Sequence, residues 1–210
     1  MKVIYCAGEQ ARVVLDILDR SNNDEEIVLI DDDSEQHGND IYGHKVIGGM
    51  TELNQLDPRS DRCLVALGSI SGERLNITSR VRERGFALFS AIDTDTTISP
   101  TAVLGEGVTI NARTYVGPDA HIGDAGLIDS AVSISHDVHL ESGVTVTPNV
   151  TIAGGVHVER NAYLGAGATI LDHVTIGERS IVGSGAVVID DVGPEETVVG
   201  VPASPVQSHD

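Results

Sequence analysis

Histidine is the side chain best suited to proton transfer near neutral pH, and one histidine in this sequence stands directly beside a carboxylate. His136 and Asp137 are adjacent, two residues after Ile134. Such a pair is a candidate general base, because the carboxylate raises the basicity of the imidazole. The alternative is a surface histidine beside a solvated aspartate, and the residues alone do not decide between the two.

Three further histidines share one spacing. His121, His139 and His157 are 18 residues apart. If 18 residues form one turn of the fold, these rings stack in a column, and a cluster of imidazoles could bind a transition metal. Stacking at one strand spacing would instead hold the rings parallel, which favours a solvent-exposed or subunit-interface column. We therefore predict no metal cofactor.

No covalent nucleophile is indicated. The sequence contains no Gly-x-Ser-x-Gly motif, P-loop or zinc-finger spacing. Its two cysteines, Cys6 and Cys63, lie in apolar runs typical of buried strands. Neither a signal peptide nor a run of 18 apolar residues is found, so a reducing, cytoplasmic location is predicted.

A six-residue period positions the histidines. Every sixth residue from Ile98 to Val188 is Ile, Leu or Val, and a second column four residues later is mostly small or β-branched. A period of six is that of neither a helix nor a lone strand, and it is typical of a parallel β-helix. Since three hexapeptides form one triangular coil, the repeats predict about five coils.

The period also predicts where side chains point. His136 should lie on an outward turn, and Gly154 should lie one coil after it. Glycine and asparagine recur at turns, where a positive φ is expected: Gly105, Asn111, Gly117, Gly123, Gly165, Gly177 and Gly183.

The first part of the chain has a different pattern, typical of a small Rossmann-like α/β domain. We assign residues 1–92 to this domain and residues 93–210 to the β-helix with its C-terminal tail. The apolar runs and turn residues predict strands at 2–6, 27–30, 63–67 and 86–89, a short strand and turn at 46–49, helices at 11–20, 50–56 and 71–84, and a loop at 34–45.

Ligands of such domains bind at the carboxyl ends of the strands, which here carry the Gly8 turn and the Asp31-Asp32 pair. The dinucleotide fingerprint G-x-G-x-x-G is absent. The alternative is a packing domain whose acidic residues are merely solvated.

Net charge excludes several partners. The formal charge is −19, which argues against nucleic acid and against anionic membrane surfaces. Lys2 and Lys45 are the only lysines. Excess acid with so little lysine favours a protein of a salt-loving microbe over an ordinary acidic protein.

Nearly the whole chain resembles the hexapeptide-repeat sugar acetyltransferases that carry an N-terminal nucleotide-sugar-binding domain. This group includes UDP-4-amino-sugar N-acetyltransferases and the sialic acid O-acetyltransferase family. The segments that carry the resemblance are the strand–turn–helix of residues 1–18, Leu29-Ile30-Asp31-Asp32, Val65-Ala66-Leu67-Gly68, Ser135-His136-Asp137, Ile152-Ala153-Gly154-Gly155-Val156 and Val199-Gly200-Val201-Pro202-Ala203.

The resemblance implies a left-handed β-helix, a homotrimer and acetyl-CoA bound between neighbouring β-helices. It makes His136 the general base that deprotonates a sugar amine or hydroxyl, with Asp137 raising its basicity. It also implies acetyl-CoA contacts at Thr145, Gly154 and Ala166, and nucleotide-sugar contacts at Gly8, Glu9, Gln10, Asp31, Asp32 and Gly68.

Two departures from the family pattern matter. Relatives usually carry a Gly-His-Gly-type turn where this chain has Glu9-Gln10-Ala11, and a carboxylate there would repel a diphosphate. Some relatives also have a histidine where this chain has Thr145.

The alternatives to a sugar acetyltransferase are therefore a non-catalytic sugar- or CoA-binding subunit and, more remotely, a metal enzyme like the γ-class carbonic anhydrases. The acceptor sugar, and whether nitrogen or oxygen is acylated, stay open.

Overall fold

The structure is a computed structural model that describes residues 1–21, 23–68, 70 and 72–206. Its first part is a four-stranded parallel sheet in the order β2-β1-β5-β6, and its second part is a parallel β-helix. The predicted fold class is thus confirmed. The elements of the first part are β1 Lys2–Tyr5, α1 Glu9–Arg20, β2 Ile27–Ile30, a 3-10 helix Ser34–Gln36, β3 Asp40–Ile41, β4 His44–Lys45, α2 Met50–Leu53, β5 Arg62–Val65, α3 Glu73–Glu83 and β6 Ala87–Leu88.

The central strand β1 alternates between two cores. Ile4 packs with the α1 residues Val14 and Ile17, whereas Val3 packs with Val81 of α3. Helices therefore cover both faces of the sheet, which is why the strands read as continuous apolar runs.

The predicted loop at 34–45 was wrong in part, because this segment contains the 3-10 helix and the β3–β4 hairpin. Both are stabilised by local side chains. Asp33 accepts a hydrogen bond from the Glu35 N–H, and Asp40 accepts one from the Gly43 N–H. Elements this short leave no hydrophobic period in the sequence.

The β-helix has three faces, each formed by strands that stack in parallel, apart from the antiparallel β25. Face 1 contains β7 Ala91–Ile92, β10 Thr109–Ile110, β13 Leu127–Ile128, β16 Thr145–Val146, β19 Tyr163–Leu164, β22 Ile181–Val182, β24 Thr197–Val199 and β25 Ser204–Pro205. Face 2 contains β8 Thr97–Ile98, β11 Tyr115–Val116, β14 Ser133–Ile134, β17 Thr151–Ile152, β20 Thr169–Ile170 and β23 Val187–Val188. Face 3 contains β9 Val103–Leu104, β12 His121–Ile122, β15 His139–Leu140, β18 His157–Val158 and β21 Thr175–Ile176.

The inward column forms the core. Ile110, Ile134, Ile152 and Ile176 are at most 1% exposed and belong to one continuous cluster. The β-helix has about six coils, whereas the repeats predicted about five. Ala91–Ile92 adds a strand at one end within the period, and Thr197–Val199 adds one at the other end after the period is broken by the Gly193-Pro194 turn.

The glycines at the turns have a different role from the predicted one. Positive φ occurs at another turn position, which is occupied by residues such as Asp137, Asn149 and Asn161. Gly117 is required for a close approach instead. A Cβ on Gly117 would lie 2.7 Å from the Ser135 carbonyl carbon of the next coil. The predicted Gly105, Gly123, Gly165 and Gly177 likewise face main-chain atoms of the next coil.

The two parts are joined by arginines. Arg82 of α3 pairs with Asp124 and Glu106 on the β-helix, each at 2.8 Å, and Arg20 of α1 pairs with Asp93 at 2.5 Å. Glu106 and Asp124 lie on edge 3/1, the turns that lead from face 3 to face 1, and Asp93 directly follows β7 of face 1. The first part therefore lies against edge 3/1 and beside face 1, where Arg74 of α3 also bonds Thr145 of β16. In the described part of the chain, no helix has both the length and the apolar character needed to cross a membrane.

Candidate active site

The His136–Asp137 pair lies on edge 2/3, the turns that lead from face 2 to face 3. His136 Nδ1 is 2.7 Å from Asp137 Oδ2, and both side chains are 65% exposed. A carboxylate can only accept, so we assign the proton to Nδ1, which leaves Nε2 as an acceptor that faces outward from the pair. The outward position predicted for His136 is confirmed.

Gly154 lies directly beneath the His136 ring. A Cβ at position 154 would be 2.6 Å from Cε1 and 2.7 Å from Nε2 of His136. The two coils are tied here by a 3.1 Å hydrogen bond from the Gly155 N–H to the His136 carbonyl. The predicted one-coil relation is therefore confirmed, and the absent side chain makes room for the imidazole.

The other two predicted acetyl-CoA contacts lie elsewhere on the chain. Thr145 is on face 1, 4% exposed, and its hydroxyl accepts a 2.9 Å hydrogen bond from Arg74. Ala166 is exposed on edge 1/2, the turns from face 1 to face 2, and its carbonyl accepts from the Gly185 N–H. Face 2 separates both residues from His136 and Gly154.

A cavity of about 390 Å³ opens at the carboxyl ends of the strands of the α/β part. It brings together most of the predicted nucleotide-sugar residues, although Asp32 does not line it. The lining residues are Cys6, Gly8, Glu9, Gln10, Asp31, Ala66, Leu67 and Gly68. We call this space the strand-end cavity.

The sequence did not predict a second cavity of about 310 Å³ between the two parts. Gln10 and Gly68 border both spaces, so the second cavity continues the first toward face 1. Its lining residues are Gln10, Gly68, Ile70, Leu127, Asp129, Thr145, Thr147 and Tyr163. We call it the interdomain cavity.

The paired aspartates are occupied by the main chain. Asp31 accepts hydrogen bonds from the Ala7 N–H at 2.7 Å and the Asp33 N–H at 2.8 Å. Asp32 accepts one from the Met50 N–H at 3.0 Å, at the start of α2. Both carboxylates therefore shape the loops around the strand-end cavity. Glu9, in contrast, is exposed on the first turn of α1.

Cys6 borders the strand-end cavity with an unusual φ of 74°. Burial, with the nearby charges of Asp31 and Asp32, raises the pKa of its thiol to about 12. The thiol therefore stays protonated near neutral pH, and it is a poor nucleophile.

The predicted histidine column is confirmed on face 3. The rings of His121 and His139 stack with centroids 4.7 Å apart and planes 14° apart, and those of His139 and His157 at 5.0 Å and 12°. The rings are close to parallel and do not converge on one point. Within the described residues, no group of three or more His, Cys, Asp or Glu side chains is arranged to hold a metal ion.

Comparison with known families gives two matches along the chain. Residues 3–81 match the family described as the PglD N-terminal domain, and residues 155–190 match the bacterial transferase hexapeptide family of six repeats. A search of curated proteins by sequence found no match.

Among solved structures, the chain is similar to a mutant of perosamine N-acetyltransferase from Caulobacter crescentus in complex with CoA and GDP-perosamine. The identity is 32% and the TM-score 0.92, over 99% of this chain and 97% of that one. It is also similar to the acetyltransferase domain of PglB from Neisseria gonorrhoeae in complex with acetyl coenzyme A, at 30% identity and a TM-score of 0.92, over 98% of each chain. WeeI from Acinetobacter baumannii, at 23% identity and a TM-score of 0.71, shares the fold.

The contact between Gly154 and the His136 ring generates the first prediction. Gly154→Ala should push the exposed imidazole out of place while leaving the core intact. We expect turnover to fall by about ten-fold or more, as for other small misplacements of catalytic groups, with an unchanged melting temperature. Gly193→Ala is the control, because Gly193, like Gly154, has no left-handed φ and a Cβ there meets only a Glu196 carboxylate oxygen at 3.4 Å. Equal turnover in the two variants would contradict the role of Gly154.

The histidine column generates a prediction on pH. Burial, followed by the charges of His121 and His157, lowers the pKa of His139 in the folded chain. The unfolded chain therefore binds more protons, and stability should fall as the pH drops through about 6.5, the ordinary histidine value. Between about pH 7.5 and 5.5, His139→Gln should show a shallower fall in melting temperature than the unmodified chain. His173→Gln, at an exposed turn, should follow the unmodified chain; parallel curves for all three proteins would disprove the assignment.

Proposed function

The chain belongs to the family of acetyl-CoA-dependent sugar acetyltransferases that joins a PglD N-terminal domain to hexapeptide repeats, and we propose that it acetylates the amino group of a sugar carried on a nucleoside diphosphate. The observation that carries the proposal is the His136–Asp137 pair placed over Gly154. The two similar structures in complex with CoA or acetyl-CoA support the donor, and the one with GDP-perosamine supports the acceptor class.

The proposed reaction is a direct transfer. The sugar amine attacks the thioester carbonyl carbon, and its N–H proton passes to His136 Nε2. The C–S bond then breaks, and the protonated ring returns the proton to the departing thiolate, which yields the amide and free CoA. Asp137 holds the ring through Nδ1 and stabilises its protonated form.

The main chain supplies a candidate group for the thioester oxygen. Within the described residues the Gly154 N–H donates no hydrogen bond, and it lies beside the base. Negative charge develops on the carbonyl oxygen during attack, and a fixed N–H donor is the group that stabilises it. We assign this role to Gly154.

We further propose that the complete site forms between copies of the chain, as a homotrimer. His136 and Gly154 lie on edge 2/3, whereas Ala166 and the interdomain cavity lie on edge 1/2 and face 1. A neighbouring copy that presents its edge 2/3 would bring a base to a nucleotide-sugar bound in the cavities. Light scattering should give three times the 22.0 kDa chain mass; a monomer with full activity would disprove this arrangement.

The base assignment is tested by His136→Ala. With acetyl-CoA and a panel of nucleotide-linked amino sugars, we expect the rate of CoA release to be about 10²- to 10⁴-fold lower than in the unmodified protein. His44→Ala, on the β3–β4 hairpin, is the control and should retain activity. Unchanged release by His136→Ala would refute the base. Binding of nucleotide-sugar and CoA without turnover in the unmodified protein would favour the non-catalytic subunit.

Glu9 tests the nucleotide-sugar site. Its carboxylate occupies the helix N-terminus where an anion would bind, so Glu9→Gln should lower KM for the nucleotide-sugar by about two- to five-fold at low salt. KM for acetyl-CoA should not change. Glu26→Gln removes the same charge at another exposed position and should leave both constants unchanged. An equal effect of the two variants would mean that only net charge matters.

A further inference from the structure

Among the described residues, Arg74 is the most deeply buried arginine or lysine, and the proposed mechanism does not use it. It lies in the first turn of α3 and is 4% exposed. Its Nε donates to the Ala125 carbonyl at 2.8 Å, and Nη1 donates to the Leu67 carbonyl at 2.9 Å. Nη2 donates to the Gly143 and Val144 carbonyls and to the Thr145 hydroxyl, at 2.9, 3.1 and 2.9 Å.

The partners of Arg74 are all neutral. Among the described residues, no carboxylate forms a hydrogen bond or an ion pair with it. Burial lowers the pKa of Arg74 to about 10. Because this value is still well above neutral pH, the guanidinium stays charged. The five neutral acceptors offset the cost of burying this charge, but no carboxylate among the described residues cancels it.

The position of this charge relates it to both cavities. Leu67 lines the strand-end cavity and Thr145 lines the interdomain cavity, and Arg74 holds both residues directly. Neither lining contains a lysine or an arginine among the described residues, whereas Glu9, Asp31 and Asp129 contribute carboxylates. Arg74 is therefore the cation behind an otherwise acidic pair of cavities.

We propose that Arg74 is a positioning residue for the diphosphate of the substrate: it fixes the Leu67 strand end against Thr145, and it supplies the positive charge behind the two cavities. This inference rests on the proposed nucleotide-sugar substrate. It explains how a chain with a net charge of −19 can bind an anion without a basic side chain in the cavity wall. Arginine suits the role because its planar fork can hold several carbonyls while it stays charged.

The test compares nucleoside diphosphate and nucleoside binding by calorimetry in full-length variants. GDP, UDP and dTDP are titrated first, and the one that binds most tightly is compared with its nucleoside. Arg74→Met should weaken diphosphate binding by about ten-fold or more and nucleoside binding by much less. Arg82→Met is the matched control, since it removes another contact between α3 and the β-helix but lines neither cavity.

The outcomes separate the proposals. If the unmodified protein binds no nucleoside diphosphate, the proposed substrate class fails. Two other results would overturn the role of Arg74 while leaving the proposed substrate class intact. Either the unmodified protein binds a diphosphate and Arg74→Met loses only thermal stability, or Arg74→Met weakens diphosphate and nucleoside binding by the same factor. If Arg74→Met does not fold, Arg74→Lys is measured in its place. The diphosphate affinity of Arg74→Lys should be about three-fold lower than that of the unmodified protein, because an ammonium cannot hold both Leu67 and Thr145. An unchanged affinity would overturn the proposal.

Discussion

The stacking of identical positions at one strand spacing is the constraint on which the rest of this structure depends. Each hexapeptide contributes only two strand residues, too few to be stable alone, so the core exists only because each coil buries the inward side chain of the next. Ile134 is paired with Val116 on one side and Ile152 on the other. A register fixed this strictly also fixes every outward residue relative to the residues one coil away.

The candidate catalytic pair uses that register. Asp137 occupies the turn position with positive φ, here 56°, and its neighbour His136 projects outward over the next coil. Aspartate and asparagine tolerate this conformation better than most residues with a side chain. A turn that the fold requires at every corner thus also presents a histidine and a carboxylate together. The ring then needs an empty position one coil later, and Gly154 provides it.

Features that repeat with the six-residue period can be predicted from the sequence, and features that do not repeat cannot. The inward column, the outward His136, the stacked histidines and the relation between His136 and Gly154 all follow from counting in sixes. The positions with positive φ do not, because they differ from the glycines that allow close main-chain approach. The interdomain cavity and the partner of Thr145 depend on how α3 packs on the β-helix, which no local pattern encodes. Arg74 did leave a signal, since it shares the buried face of α3 with Ile77, Thr78 and Val81 at helical spacing.

Net charge bears differently on long polyanions and on small anions. A charge of −19 disfavours long polyanions, whose binding depends on many surface cations. A small anion needs only a local site. Here Asp31 and Asp32 are neutralised in part by main-chain N–H groups that they hold, so they repel an anion less than their number suggests. Glu9 is then the exposed carboxylate at the N-terminus of α1, whereas Arg74 is the buried cation that we propose to act behind the cavities. Salt screens an exposed charge more strongly than a buried one, so any opposition by Glu9 to a bound anion should weaken first as the salt concentration rises.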